Sequence, residues 1–114
     1  ENEGSKVSDI LQRLGDVIDA RRSASPDESY VAGLFKDGID RILNKIDEEA
    51  SETIIAGKAG DREQIVYETA DLWFHSMILL KFRDIELDEV LNELERRFGV
   101  SGLAEKASRR SKPS

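Results

Sequence analysis

Residues 62–83 read Arg62-Glu-Gln-Ile-Val-Tyr-Glu68-Thr-Ala-Asp71-Leu-Trp-Phe-His75-Ser-Met-Ile-Leu-Leu-Lys-Phe-Arg83. Val66, Ala70, Trp73 and Met77 recur with helical spacing, which predicts one long helix. Leu72, Leu79 and Phe82 cover its other sides, so from Ala70 to Phe82 the helix is apolar nearly all round. Such a helix belongs at the centre of a bundle or sandwiched at a subunit contact. Within it, Glu68, Asp71 and His75 form a narrow polar stripe. Burying bare carboxylates costs several kcal/mol unless they are paired or metal-bound, so this stripe needs a partner, and a cation is the natural one.

The preceding segment offers the facing half. Gly60-Asp61 ends one helix and caps the next. Before it, a second long helix is expected over about Ile39 to Lys58, with Ile39, Ile42, Leu43, Ile46, Ala50, Ile54 and Gly57 as its apolar stripe. That helix carries Glu48, Glu49 and Glu52 in the run Lys45-Ile-Asp-Glu-Glu-Ala-Ser-Glu52. At about 100° per residue, Glu49 sits on the border of the stripe, with Glu52 a step further round and close to the line of Lys45. Glu48 points almost directly away. The two helices together spell E-E-x-x-E, a short gap, then E-x-x-D. Carboxylates three or four apart share a helix face. Two such faces turned together make an all-oxygen cage, which suits hard divalent cations, Mg²⁺ above all, and not zinc.

The rest of the chain continues the helical pattern. Val7, Ile10, Leu11, Leu14, Val17 and Ile18 predict a first helix to Arg22. Ser23 to Asp27 is a loop around Pro26. A short helix follows from Ser29, its expected N-cap, to Lys36, and Asp37-Gly38 breaks it. A further helix spans about Leu87 to Phe98, with Asp88 a better cap than Glu86, and Gly99 closes it. A short basic segment then reaches Arg110. No segment alternates as a strand does. The expected fold is therefore all-α, an antiparallel helical bundle in one domain over residues 7–110. Glu1 to Lys6 has no apolar signal core and is set aside as a processed or disordered leader, and Ser111 to Ser114 as a disordered tail.

The bulk composition narrows the function. The chain has 114 residues, 39% hydrophobic and 36% charged, with a formal net charge of −7. A negative protein repels a nucleic-acid backbone, so nucleic acid is excluded as the main partner. The acidity is compatible with a phosphorylated small molecule, because metal ions bridge an acidic cage to an anion. No long apolar run spans a membrane. The absence of cysteine excludes thiolate metal sites and disulfides and agrees with a cytoplasmic setting. There is no G-x-x-x-x-G-K-[ST] and no G-x-G-x-x-G. No serine stands in a nucleophile context with histidine, so hydrolysis by a metal-bound water is the main enzymatic option.

Each feature also has a plainer reading. With 24 acidic residues in the chain, a Glu-Glu-x-x-Glu run is usually a solvated helix face. His75 is the only histidine, and hard Mg²⁺ sites seldom use imidazole, so a supporting role is expected for it. Lys45 is either a surface lysine in a charged network or a phosphate contact beside the metal. The basic C-terminal end, with Arg96, Arg97, Lys106, Arg109 and Arg110, either complements a helix dipole or grips phosphate.

The carboxylate pattern resembles the all-α nucleoside triphosphate pyrophosphohydrolases of the MazG type. Ser29-Tyr30-Val-Ala-Gly-Leu34, Asp37-Gly38-Ile-Asp-Arg-Ile42, Lys45-Ile-Asp-Glu-Glu-Ala50, Glu68-Thr-Ala-Asp-Leu72 with His75, and Ser101-Gly-Leu-Ala-Glu-Lys-Ala107 narrow this further. They are similar to the phosphoribosyl-ATP pyrophosphohydrolase family, over about Leu11 to Arg109. The Ser-Tyr and Ser-Gly-Leu-Ala-Glu-Lys-Ala strings carry the narrower match. The one departure is Asp47, where the family commonly has Gly.

The resemblance implies Mg²⁺-dependent hydrolysis of phosphoribosyl-ATP to phosphoribosyl-AMP and pyrophosphate, the second step of histidine biosynthesis. It implies metal ligands at Glu49, Glu52, Glu68 and Asp71, and catalytic roles for Glu48 and Glu49. Lys45, Arg97, Lys106 and Arg109 are the expected substrate contacts. A homodimer or dimer of dimers would complete the bundle. The alternatives are a house-cleaning nucleoside triphosphate pyrophosphatase and a non-enzymatic helical interaction module.

Overall fold

The computed structural model describes residues 3–98, with side chains from residue 9 onward. Five helices follow one another: α1 (Glu3–Arg22), α2 (Tyr30–Asp37), α3 (Ile39–Ala59), α4 (Arg62–Phe82) and α5 (Leu87–Phe98). The all-α expectation holds among these residues. The expected tail, Gly99 and the basic segment after it lie outside them.

The helix ends are set by local chemistry. Ser29 caps α2, its hydroxyl accepting from the Ala32 amide at 3.1 Å. Gly38 breaks the chain between α2 and α3 at φ 96°, a backbone that side chains rarely tolerate. Gly60 closes α3 in the left-handed region, φ 72°, donating to the carbonyls of Ala56 and Gly57. Asp61 then caps α4 through the Gln64 amide at 3.2 Å. Two details differ from the sequence reading. α1 begins at Glu3, earlier than the Val7 at which the apolar repeat starts, because a polar first turn carries no apolar signal. α5 is entered from Glu86, not capped by Asp88. Glu89 reaches back to the Glu86 amide, at 3.3 Å, in half of a capping box.

The core gathers at one end of the longest helix pair. Ile18 of α1, Val31 and Leu34 of α2, Ile42 of α3, Met77 and Ile78 of α4 and Leu87 of α5 are buried together. Each fully buried aliphatic side chain contributes about 1.5–3 kcal/mol. Around them, Arg22 lies over the Phe35 ring at 4.4 Å and Lys81 meets Asp19 at 2.8 Å, fastening α1 to α2 and to α4. The core thus uses the first half of α3 and the second half of α4.

The remaining halves of α3 and α4 run on as an antiparallel pair. Ala56 is the buried apolar residue there, while Ile54, Ile55, Val66 and Tyr67 are mostly exposed. Trp73 is also 55% exposed. Among the described residues, α4 is therefore apolar nearly all round from Ala70 to Phe82 but only partly covered. The carboxylates sit where the shared core ends and this bare pair begins.

Candidate metal centre and active site

Antiparallel packing of α3 on α4 turns the two acidic faces toward each other. Glu49 of α3 is 3% exposed and Glu68 of α4 is at the limit of burial, at 9%. Asp71 is half-buried and Glu52 is exposed. Carboxylate oxygens of Glu49, Glu52 and Glu68 lie within 4.8 Å of one another, and so do ligand atoms of Glu49, Asp71 and His75. Glu49 is common to both groups and forms the floor of the site. The polar stripe on α4 faces α3, as its sequence required.

Electrostatics in the cluster are strained in one sense only. Burial pushes the Glu49 carboxyl up to about 7, and hydrogen bonding with Asp71 and Glu68 and the charges of Asp71 and Glu52 add to it. Glu68 is also raised, chiefly by burial. One oxygen of Glu49 and one of Glu68 are buried with no hydrogen-bond partner. Buried carboxylate oxygens are almost always paired, so two orphans side by side mark a place built for a positive group. The donor set is all carboxylate, apart from one imidazole at the edge. These residues fit a hard divalent cation such as Mg²⁺.

Lys45 and Glu48 form the outer rim. The Lys45 ammonium meets Glu48 at 3.0 Å and Glu49 at 3.7 Å. Glu48 is more than half exposed, as its direction on the helix indicated, and contributes to neither ligand group. Lys45 had been placed beside Glu52 from helical spacing; its contacts are instead with the acids one turn further along α3. Its charged form is favoured, first by the hydrogen bond to Glu48. Asp47 is exposed and takes no part in the cluster.

His75 is buried at 2% exposure and has both ring nitrogens engaged. Nδ1 lies 2.9 Å from the Asp71 carbonyl oxygen, and Nε2 lies 2.8 Å from the Tyr30 hydroxyl. A carbonyl only accepts, so Nδ1 carries a proton toward Asp71, while Nε2 shares a hydrogen bond with the Tyr30 hydroxyl. Both ring nitrogens are thereby committed to protein partners, in keeping with a supporting role. Its Nδ1 is 3.6 Å from an Asp71 carboxylate oxygen, so it also steadies that side chain.

Tyr30 is the residue that sequence reasoning missed as part of the site. It stands at the first position of α2, far in sequence from His75, and only the packing of α2 on α4 brings them together. The signal was present in the Ser29-Tyr30 string, which was read for family likeness and not for a contact. Burial raises the Tyr30 pKa, while Lys45 and Arg41 beside it oppose the shift.

The basic residues divide. Arg97 is not brought to the carboxylates: at the end of α5 it is bound to Glu93 at 3.0 Å, and Arg96 binds the same carboxylate. These contacts hold the Glu93 carboxyl well below the usual range. Glu93 lies one turn before both arginines, so the i, i+3 and i, i+4 pairs compete with any reach toward the site. Lys106 and Arg109 lie outside the described residues.

Comparison with known proteins agrees with this geometry. A family model described as phosphoribosyl-ATP pyrophosphohydrolase matches residues 11–98. The chain is 61% identical over 101 residues to the phosphoribosyl-ATP pyrophosphatase of Geobacter sulfurreducens, covering 89% of this chain and 94% of the relative. Its identity to the protein of the same name from Geobacter metallireducens is 59% over 101 residues, covering 89% and 93%. With that of Ruthia magnifica it is 52% over 103 residues, covering 90% and 98%.

Proposed function

Because the chain belongs to the phosphoribosyl-ATP pyrophosphohydrolase family, we propose that the α3–α4 carboxylates are the centre at which it splits phosphoribosyl-ATP into phosphoribosyl-AMP and pyrophosphate, in the second step of histidine biosynthesis. The observation that carries this reading is the pair of buried, unpartnered oxygens on Glu49 and Glu68, from facing helices. Glu49, Glu52, Glu68 and Asp71 would hold one or more Mg²⁺ ions. When bound, Mg²⁺ supplies positive charge against the triphosphate and against the pyrophosphate as it leaves.

The protein's own groups divide the remaining work. Glu48, at the exposed rim, is positioned to hold the attacking water and take its proton. Glu49 belongs to the floor and shares that role through its buried carboxylate. Lys45 neutralises Glu48 and Glu49 in the free protein and turns to phosphate oxygens when substrate arrives. His75 and Tyr30 fix the backbone and side chain of Asp71 and take no proton from the substrate. Attack in line with the α–β bridging bond then releases pyrophosphate.

A second chain completes the bundle in this reading. Ile54, Ile55, Val66, Tyr67 and Trp73 of α3 and α4 are exposed apolar side chains, and a homodimer or dimer of dimers would cover them. No described helix is long and apolar enough to cross a membrane, which agrees with a cytoplasmic enzyme using a small-molecule substrate.

The direct test of the cage uses its exposed members. Glu52 is exposed and Asp71 half-buried, so Glu52→Gln and Asp71→Asn should keep the helices intact. Each should lower pyrophosphate release by about two orders of magnitude or more. Release at wild-type rates from both variants, with unchanged circular dichroism, would overturn the assignment.

A further inference from the structure

A cavity of about 500 Å³ opens beside the carboxylate centre, between the end of α1, the loop before α2 and the middle of α4. Tyr30 is common to both. Its hydroxyl reaches His75 at 2.8 Å, and it is close enough to Lys45, Asp71 and Glu49 to feel their charges. Tyr30 lines the cavity together with Phe74 of α4. Phe74 and Tyr30 both pack edge-on against His75, with ring centres 5.2 and 5.8 Å away. The wall between cavity and cluster is therefore held by contacts to the buried His75 ring.

The polar lining has a definite chemistry. Arg21 and Glu28 stand in the cavity with Ser29. Among the described residues Arg21 makes no ion pair. Its neighbour Arg22 is held by Asp19 and by the Lys81 carbonyl, Arg41 by Asp37, and Lys45 by Glu48. A guanidinium left free in a cavity is matched to a phosphate, which it binds in two-pronged fashion. A carboxylate in the same cavity is the usual acceptor for a ribose diol. Aromatic walls, a carboxylate and a free guanidinium together describe a site for a sugar monophosphate.

We propose that this cavity binds the phosphoribosyl group of phosphoribosyl-ATP, with Arg21 on its phosphate and Glu28 on its ribose hydroxyls. The inference rests on the reaction proposed above and adds the basis of its selectivity. Triphosphate is held on the α3–α4 side of Tyr30 and the sugar phosphate on the other. ATP fills only the first, so the residues that separate the two substrates lie outside the carboxylate cluster.

The test reads binding, so it is independent of turnover. Calorimetry compares phosphoribosyl-AMP with AMP, on wild type, Arg21→Gln, Arg21→Lys and Glu28→Gln, with circular dichroism confirming the fold of each. Wild type should bind phosphoribosyl-AMP more tightly than AMP. Arg21→Gln should weaken phosphoribosyl-AMP by about tenfold or more, leave AMP within about twofold, and be partly rescued by Arg21→Lys. Equal affinities of wild type for the two nucleotides would overturn the subsite, as would wild-type binding by Arg21→Gln or an equal loss for both ligands. Failure of the wild type to release pyrophosphate would instead overturn the reaction, and the binding comparison would still be readable.

Discussion

Glu49 carries the greatest tension of any single residue. Its carboxyl is raised from an ordinary 4.5 to about 7 by burial among other acids. In the metal-free protein a raised value means that folding takes up a proton between those two limits. The associated stability is fully present below the unfolded value and is lost as pH rises through about 7. The metal-free protein should therefore melt higher at pH 5 than at pH 8. Cation binding needs the ionised form, so stabilisation by Mg²⁺ should grow over the same interval and reverse the trend. Melting curves at the two pH values, each with and without Mg²⁺, check both signs. A Mg²⁺ effect that weakened toward pH 8 would contradict the assignment of Glu49 as a ligand.

Residue-level reading of the sequence succeeded where helix phase decided the outcome. Glu68, Asp71 and His75 form a stripe on an apolar helix, and no other arrangement keeps that stripe out of apolar surroundings. Glu48 was placed outward by the same angle. It did not bring out two contacts, because phase alone does not choose among partners or reach across elements. Glu93 captures Arg97, and Tyr30 reaches His75 only across α2 and α4.

At the scale of elements, the turn between α3 and α4 sets the register of the two acidic faces. Gly60 ends one helix at φ 72° and Asp61 begins the next through the Gln64 amide. A substitution here shifts both faces relative to each other. Asp61→Ala should cost about 1 kcal/mol through the lost cap, and Gly60→Ala about the same through the left-handed backbone. Both should weaken Mg²⁺ binding as well as lower the melting temperature, since the proposed ligands come from both helices. Calorimetric titration of Mg²⁺ into each variant below its melting point separates the two effects. Unchanged Mg²⁺ affinity in Gly60→Ala would show that the cluster is set by packing alone. These boundaries were legible in advance because Gly60, Asp61, Ser29 and Gly38 each have one local use. The start of α1 was not, because its first turn is polar.

At the scale of the whole molecule, α4 packs against several helices and still keeps apolar side chains exposed. The core covers Met77 and Ile78, whereas Trp73 stays 55% exposed and Val66 and Tyr67 more so. Apolar patches of this kind mark contact surfaces. Trp73 is the only tryptophan, so its fluorescence reports the contact directly. Diluting the protein through its dissociation range should shift the emission to the red, and Val66→Glu should do so at all concentrations, with a monomer's volume on gel filtration. A concentration-independent spectrum and a monomeric wild type would contradict the dimer. The apolar character of α4 was plain in its sequence. Which side would remain bare was not, since that depends on how α1, α2 and α5 close over the other.

The central claim is that the α3–α4 carboxylates make a Mg²⁺-dependent phosphoribosyl-ATP pyrophosphohydrolase. Pyrophosphate release from phosphoribosyl-ATP, measured with and without Mg²⁺ beside ordinary nucleoside triphosphates, tests it most directly. Rapid release from phosphoribosyl-ATP that requires Mg²⁺, with little from the others, is the predicted result. Release only from the ordinary nucleotides, or at the same rate without Mg²⁺, would contradict it.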